Sequence, residues 1–100
     1  MTDKEFATKV INVVADVTGV AVDDILGSTR RREVVDARVL VSLTLVDGYY
    51  WPPKLVAKVL GRDRVSVLHH LRQGRWALEH ATLAQYKRFS EHYKQIKQML

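Results

Sequence analysis

Phe6, Val10, Val13, Val14 and Val17 recur at helical spacing, which predicts an α-helix from about Asp3 to Thr18 with one apolar stripe. Thr2 followed three residues later by Glu5 has the form of a capping box at its start, and Gly19 suits its end. Val22-Asp23-Asp24-Ile25-Leu26 predicts a short helical turn with two acids where the helix dipole favours them, broken by Gly27-Ser28. Between Arg32 and Val46 the pattern is ambiguous, because Val39, Val41, Leu43 and Leu45 alternate with smaller or polar positions as a strand would. A helix is expected all the same: no partner strand exists elsewhere, and Ala37 to Leu45 suit a central helix buried on several sides. Asp47-Gly48 marks a turn, and Pro52-Pro53 suit the start of a helix running from Pro53 to Leu60 that buries Leu55, Val56, Val59 and Leu60.

Gly61 can take the left-handed conformation that ends this helix, and the Asp63 carboxylate can cap another starting at Arg64. In that next helix Val67, Leu68 and Leu71 turn inward at helical spacing, while Arg64, Val65 and Ser66 face outward. Gly74 is expected to interrupt or kink the pattern, leaving an unbroken amphipathic segment from Arg75 to Leu100. Within it Tyr86, Phe89, Tyr93, Ile96 and Leu100 follow a 3-4-3-4 spacing, a short heptad seam that either packs back on its own domain or joins two copies as a homodimer. The pattern as a whole is all-α, with residues 1–75 as the domain proper and residues 76–100 as an extra long C-terminal helix.

Charge divides this layout unevenly. Residues 1–26 carry two bases and five acids, a net −3; residues 27–75 carry ten bases and four acids, a net +6; residues 76–100 add +2. Concentrated positive charge beside an acidic first helix is what phosphate binding needs, since each neutralised phosphate releases condensed counterions. A helix, a tight turn and a second helix led by arginine, all within that basic centre, have the form of a helix-turn-helix that reads duplex DNA.

The stretch Leu60-Gly61-Arg62-Asp63-Arg64-Val65-Ser66-Val67-Leu68-His69 resembles the signature of the C-terminal DNA-binding domain of the bacterial replication initiator DnaA, G-G-R-D-H-S/T-T-V-L-H-A, through Gly61-Arg62-Asp63 and Val67-Leu68-His69. Upstream, Arg30-Arg31-Arg32-Glu33-Val34-Val35-Asp36-Ala37-Arg38 looks like that family's basic loop and following helix, and Pro53 and Leu55 fall on the Pro and Ile of its L-P-E-I. The resemblance spans roughly residues 7–72. It implies a Trp-repressor-like helix-turn-helix in which Arg30 enters a minor groove, sensing its width more than its bases, while Arg31, Arg32 and Arg38 grip phosphates. An internal alternative for that cluster is pairing with Glu33 or Asp36, as from Arg32 to Asp36 at i to i+4. Lys54 and the first N–H groups of its helix are further phosphate anchors.

At the major groove the implied DNA-binding set is Arg62, Asp63, Arg64, Val65 and Ser66. Asp63 has two competing roles, capping and accepting from a cytosine amino group, of which capping comes first. Arg64 replaces the family's histidine and can donate twice to a guanine; Val65 replaces a hydroxyl residue and offers methyls to thymine; Ser66 keeps its hydroxyl. Two changed base-facing positions imply a target sequence other than the initiator's.

Other chemistries find little to stand on. Adjacent His69 and His70 point about 100° apart on a helix and cannot share a metal. His69 is expected to be a partly buried helix residue, and Trp51 and Trp76 to pack in the core or at hinges. There is no nucleophile constellation, no paired acid–base carboxylates and no G-x-x-x-x-G-K-S/T phosphate loop, so neither an enzyme nor an ATPase is expected. Cysteine is absent, which removes disulfide and thiolate chemistry. The expected partner is therefore double-stranded DNA, without cofactor, metal, nucleotide or membrane, in the cytoplasm at the nucleoid. The alternative is an adaptor that keeps the fold and binds a protein through its C-terminal aromatic helix.

Overall fold

Thr2 Oγ1 accepts the Glu5 backbone N–H at 3.1 Å, and the first helix, α1 (Asp3–Thr18), begins on that cap. It stops at Gly19, whose φ of 75° is left-handed and whose N–H bonds the Ala15 carbonyl. A computed structural model describes residues 1–100, and all of its regular elements are helical. After α1 come α2 (Val22–Leu26) and α3 (Arg32–Leu43), which runs into a π-helical turn (Thr44–Gly48); α4 (Pro53–Leu60), α5 (Arg64–Glu79) and α6 (Ala84–Met99) follow. No helix is long and apolar enough to cross a membrane.

The ambiguous segment is a helix, and its composition explains the ambiguity. Every residue of α3 from Ala37 to Leu43 is buried, with α1, α2 and α5 packed around it, so no polar face marks its period. The widened π turn that ends it carries Asp47 toward α5, where Arg75 binds it bidentately through one guanidinium edge, Nη2 to Oδ1 at 2.7 Å and Nε to Oδ2 at 3.1 Å. Tyr50 then takes a left-handed φ of 61°, an uncommon backbone for a side chain of its size, as the chain reverses into Pro52. Phe6 holds this corner from α1, edge-on to Tyr49 at 4.7 Å and beside Trp51 at 6.3 Å.

Four expectations need correction. Gly74 neither breaks nor kinks α5, which continues five residues beyond it, so the boundary expected after Arg75 lies inside a helix. The real break is at residues 80–83, with the His80 N–H bonding the Trp76 and Ala77 carbonyls. Leu68 is an exposed side chain of α5, where His70 takes the inward place; His69 is exposed. In α4 the fully covered residues are Val56, Ala57 and Leu60, while Leu55 and Val59 are half-buried. Of the two arrangements open for the aromatic stripe of α6, the structure has the first: the stripe packs back on its own chain, with Phe89, Tyr93 and Ile96 as core residues against α1, α5 and the π turn.

Gly74 is glycine because α5 and α3 touch there. A Cβ at this position would lie 2.4 Å from Leu43 Cδ1 and 2.8 Å from both Leu43 Cγ and Val39 Cγ1, side chains locked in the core. Alanine should therefore destabilise, although in an open helix it would gain about 1 kcal/mol over glycine. Overpacking costs about 1–3 kcal/mol, so Gly74→Ala is expected to lose about 1 kcal/mol net in urea unfolding. Leu43→Ala, costly alone, should cost less in the Gly74→Ala background; additive effects would show that the two sites do not collide.

Candidate nucleic-acid interface

The Gly61-Arg62-Asp63 turn sets the interface. Gly61, at φ 63°, closes α4, and the Arg62 N–H reaches back to the Ala57 carbonyl at 2.9 Å. Asp63 Oδ1 then accepts the Ser66 N–H at 2.7 Å and starts α5. That bond, followed by one with the Ser66 hydroxyl, holds the Asp63 carboxyl below its ordinary range. One carboxylate oxygen is thus engaged in the cap, the role placed first for it. The helix start presents Arg64 and Val65 outward, Val65 at 74% exposure, with Ser66 half-buried behind them.

The basic loop lies against this turn because two guanidiniums converge on Gly27. Arg38, only 4% exposed, donates from Nε to the Ile25 carbonyl at 2.8 Å, from Nη1 to Thr29 at 2.7 Å, and from Nη2 to Asp24 at 2.8 Å and Gly27 at 2.9 Å. Arg62 Nη2 donates to the same Gly27 carbonyl. Desolvation and then the Arg62 charge lower the Arg38 pKa, with Asp24 opposing them. The phosphate role expected of Arg38 does not fit this placement. Its guanidinium is enclosed and its donors are engaged with carbonyls of α2 and of the loop that follows it, so it holds the loop from within. Arg62 is half-buried and ties the turn to the loop in the same way.

The remaining arginines stay at the surface. Arg31 pairs loosely with Asp24 at 3.5 Å and Glu33 at 3.7 Å, and Arg32 with Asp36 at 4.0 Å. The last is the pairing read as an alternative in the sequence. Such exposed pairs contribute about 0–1 kcal/mol and yield readily to a stronger anion. Arg30, Arg64 and Lys54, at the second position of α4, are exposed and join no ion pair. The loop is joined to the turn through the Gly27 carbonyl, and Arg30, Arg31, Arg32 and Arg64 stand exposed on the loop and the starts of α3 and α5, free or weakly held.

His70 lies beneath this surface, 8% exposed, with Nδ1 3.5 Å from the Ser42 hydroxyl of α3. Burial first, then the charges of Arg38, His69 and Arg62, push its pKa down to about 4. It is a neutral packing residue of the α3–α5 contact at ordinary pH.

The expectation for Trp76 fails, and Arg72 went unnoticed in the sequence. Trp76 is 54% exposed, not a core residue, and its ring stacks on His80 at 3.8 Å. Arg72 shares the outer face of α5 with Val65 and His69, seven and three positions before it; that spacing was the available signal. Compared with known proteins, the chain matches no family model, and no curated protein matches its sequence.

Proposed function

We propose that this chain is a sequence-specific, double-stranded-DNA-binding domain of the helix-turn-helix type found at the C-terminus of DnaA, without ATPase activity. Helix α4, the Gly61-Arg62-Asp63 turn and α5 make up the motif, with the start of α5 in the major groove. The observation that carries the reading is the joint placement of two unpaired arginines. Arg64 leads α5, and Arg30 stands on a loop stitched to the same turn through the Gly27 carbonyl. A reader of adjacent major and minor grooves needs two such groups held rigidly relative to one another. Arg31, Arg32 and Lys54 supply phosphate contacts that set register without naming a base. Acting without an ATPase, the domain works by occupying sites, as a regulator, a competitor at initiator sites or a recruiting factor in replication. The adaptor reading relied on an aromatic face of α6 of which Phe89, Tyr93 and Ile96 lie in the core and only Tyr86 and Leu100 remain partly exposed.

Selection from a randomised duplex library at near-physiological salt is the direct test. Enrichment of a guanine-containing core beside an A·T-rich flank is expected; no enrichment, with only salt-sensitive retention, would refute sequence-specific reading. On the selected site Arg64→Ala should cost about 1–3 kcal/mol and relax preference at one base position. Arg32→Ala should weaken all sequences alike and reduce the salt slope by about 1. Identical effects of the two changes would remove the assigned division of labour.

A further inference from the structure

We infer that an open groove between α3, α5 and α6 is a binding site for an unpaired nucleotide, with its base on Trp76 and its phosphate on Arg30 and Arg72. The groove encloses about 660 Å³, within the range of small-ligand sites and enough for one nucleotide. Its lining combines three features. Arg30 and Arg72 are guanidiniums with no ion-pair partner in the protein, so they stand ready for an anion. Trp76 and Tyr86 offer aromatic rings from α5 and α6. Gln73 and Gln85 bring amides that both donate and accept, as base edges require.

Trp76 is preorganised for stacking. His80 lies against one ring face at 3.8 Å and 22°, and its own Nδ1 is 2.8 Å from the Trp76 carbonyl, which fixes the pair. Trp76 as a whole is more than half exposed and borders the groove. The groove's one carboxylate, Asp36, is matched by Arg32 at 4.0 Å, leaving the excess charge positive. Guanidiniums beside a stacking ring are the chemistry by which proteins hold single nucleotides or unpaired strands irrespective of sequence. No phosphate loop takes part. Two sources present this ligand: a free mononucleotide and a nucleotide splayed from a single strand. The site shares Arg30 and Arg32 with the duplex surface and otherwise stands apart from that reading.

The test is a chemical-shift titration of the full chain with deoxyadenosine monophosphate and, separately, with the single-stranded tetranucleotide of the same base. Saturable shifts are expected at the Trp76 indole and the Gln73 and Gln85 side-chain amides. Arg72→Ala and Trp76→Leu should each weaken binding about tenfold, with Trp76→Phe recovering most of the loss. Both residues are surface groups, so helical circular dichroism should be unchanged, and Trp76→Leu, outside the residues assigned to the duplex, should retain binding to the selected duplex, which separates this site from the duplex reading. Tighter binding of the tetranucleotide assigns the site to a strand; equal binding assigns it to the free nucleotide. Shifts confined to other surfaces, variants that bind as the parent does, or equal competition by tripolyphosphate would each overturn the inference.

Discussion

Replacement of the buried Arg38 by methionine is expected to lower the unfolding free energy by about 3–5 kcal/mol. Methionine keeps much of the side-chain volume but donates nothing. The carbonyls of Asp24, Ile25, Gly27 and Thr29 then lose the guanidinium that gathers them. A 100-residue domain has about 5–15 kcal/mol in total, so the melting temperature should fall by about 15 °C or more. Arg38→Lys should recover little, because an ammonium point charge cannot address carbonyls spread around a planar fork. Urea unfolding of the three proteins checks this, and a loss under about 1 kcal/mol would mean that the loop does not depend on Arg38. Within the proposed function the same variant should weaken DNA binding at temperatures where it remains folded, since the loop that carries Arg30 loses its anchor.

The second large effect is a loss of stability in mild acid, traced to His70. Its pKa is about 4 in the folded chain against an ordinary 6.5, so between those values the unfolded chain binds a proton that the folded chain refuses. Stability therefore rises with pH across this window and is lost as pH falls from 6.5 through 4. The shift corresponds to about 2 kcal/mol lost by pH 5 and about 3 kcal/mol by pH 4. Arg38, Arg62 and His69 are the charged neighbours that add to the burial, so protonation would put a further cation against an already basic cluster. His92 is also held below its ordinary value, by burial and then Arg88, and contributes with the same sign. Asp36, raised by burial, titrates with the opposite sign, becoming protonated more readily when folded. His70→Leu should remove most of the dependence between pH 7.5 and pH 5 while His92→Gln leaves it largely in place. An unchanged slope in the leucine variant would assign the effect elsewhere.

Local chemistry was legible wherever a few adjacent residues decide the outcome. The Thr2 cap, the left-handed glycines at 19 and 61, the Asp63 cap and the bounds of α1 and α4 follow from side chains acting on their own backbone. Helix α3 was legible only by elimination, since a helix covered on all sides carries no polar period. The site divided along the same line. Arg30 and Arg64 stand exposed as the motifs implied, whereas Arg38, identical in composition and close by in sequence, faces inward.

What the sequence determined by itself is the all-helical character, the bounds and caps of the helices up to the start of α5, and the excess of positive charge in residues 27–75. Tertiary structure alone decided which arginine is a surface group and which a buried clamp, because that depends on carbonyls 9–14 residues away in the chain. It also decided that Gly74 is a point of helix contact rather than a break, and that His70 rather than His69 is buried. The stripe of α6 likewise closes the chain's own core. Each of these turns on what another helix presents at a few ångströms, and helical spacing specifies a face without specifying its neighbour.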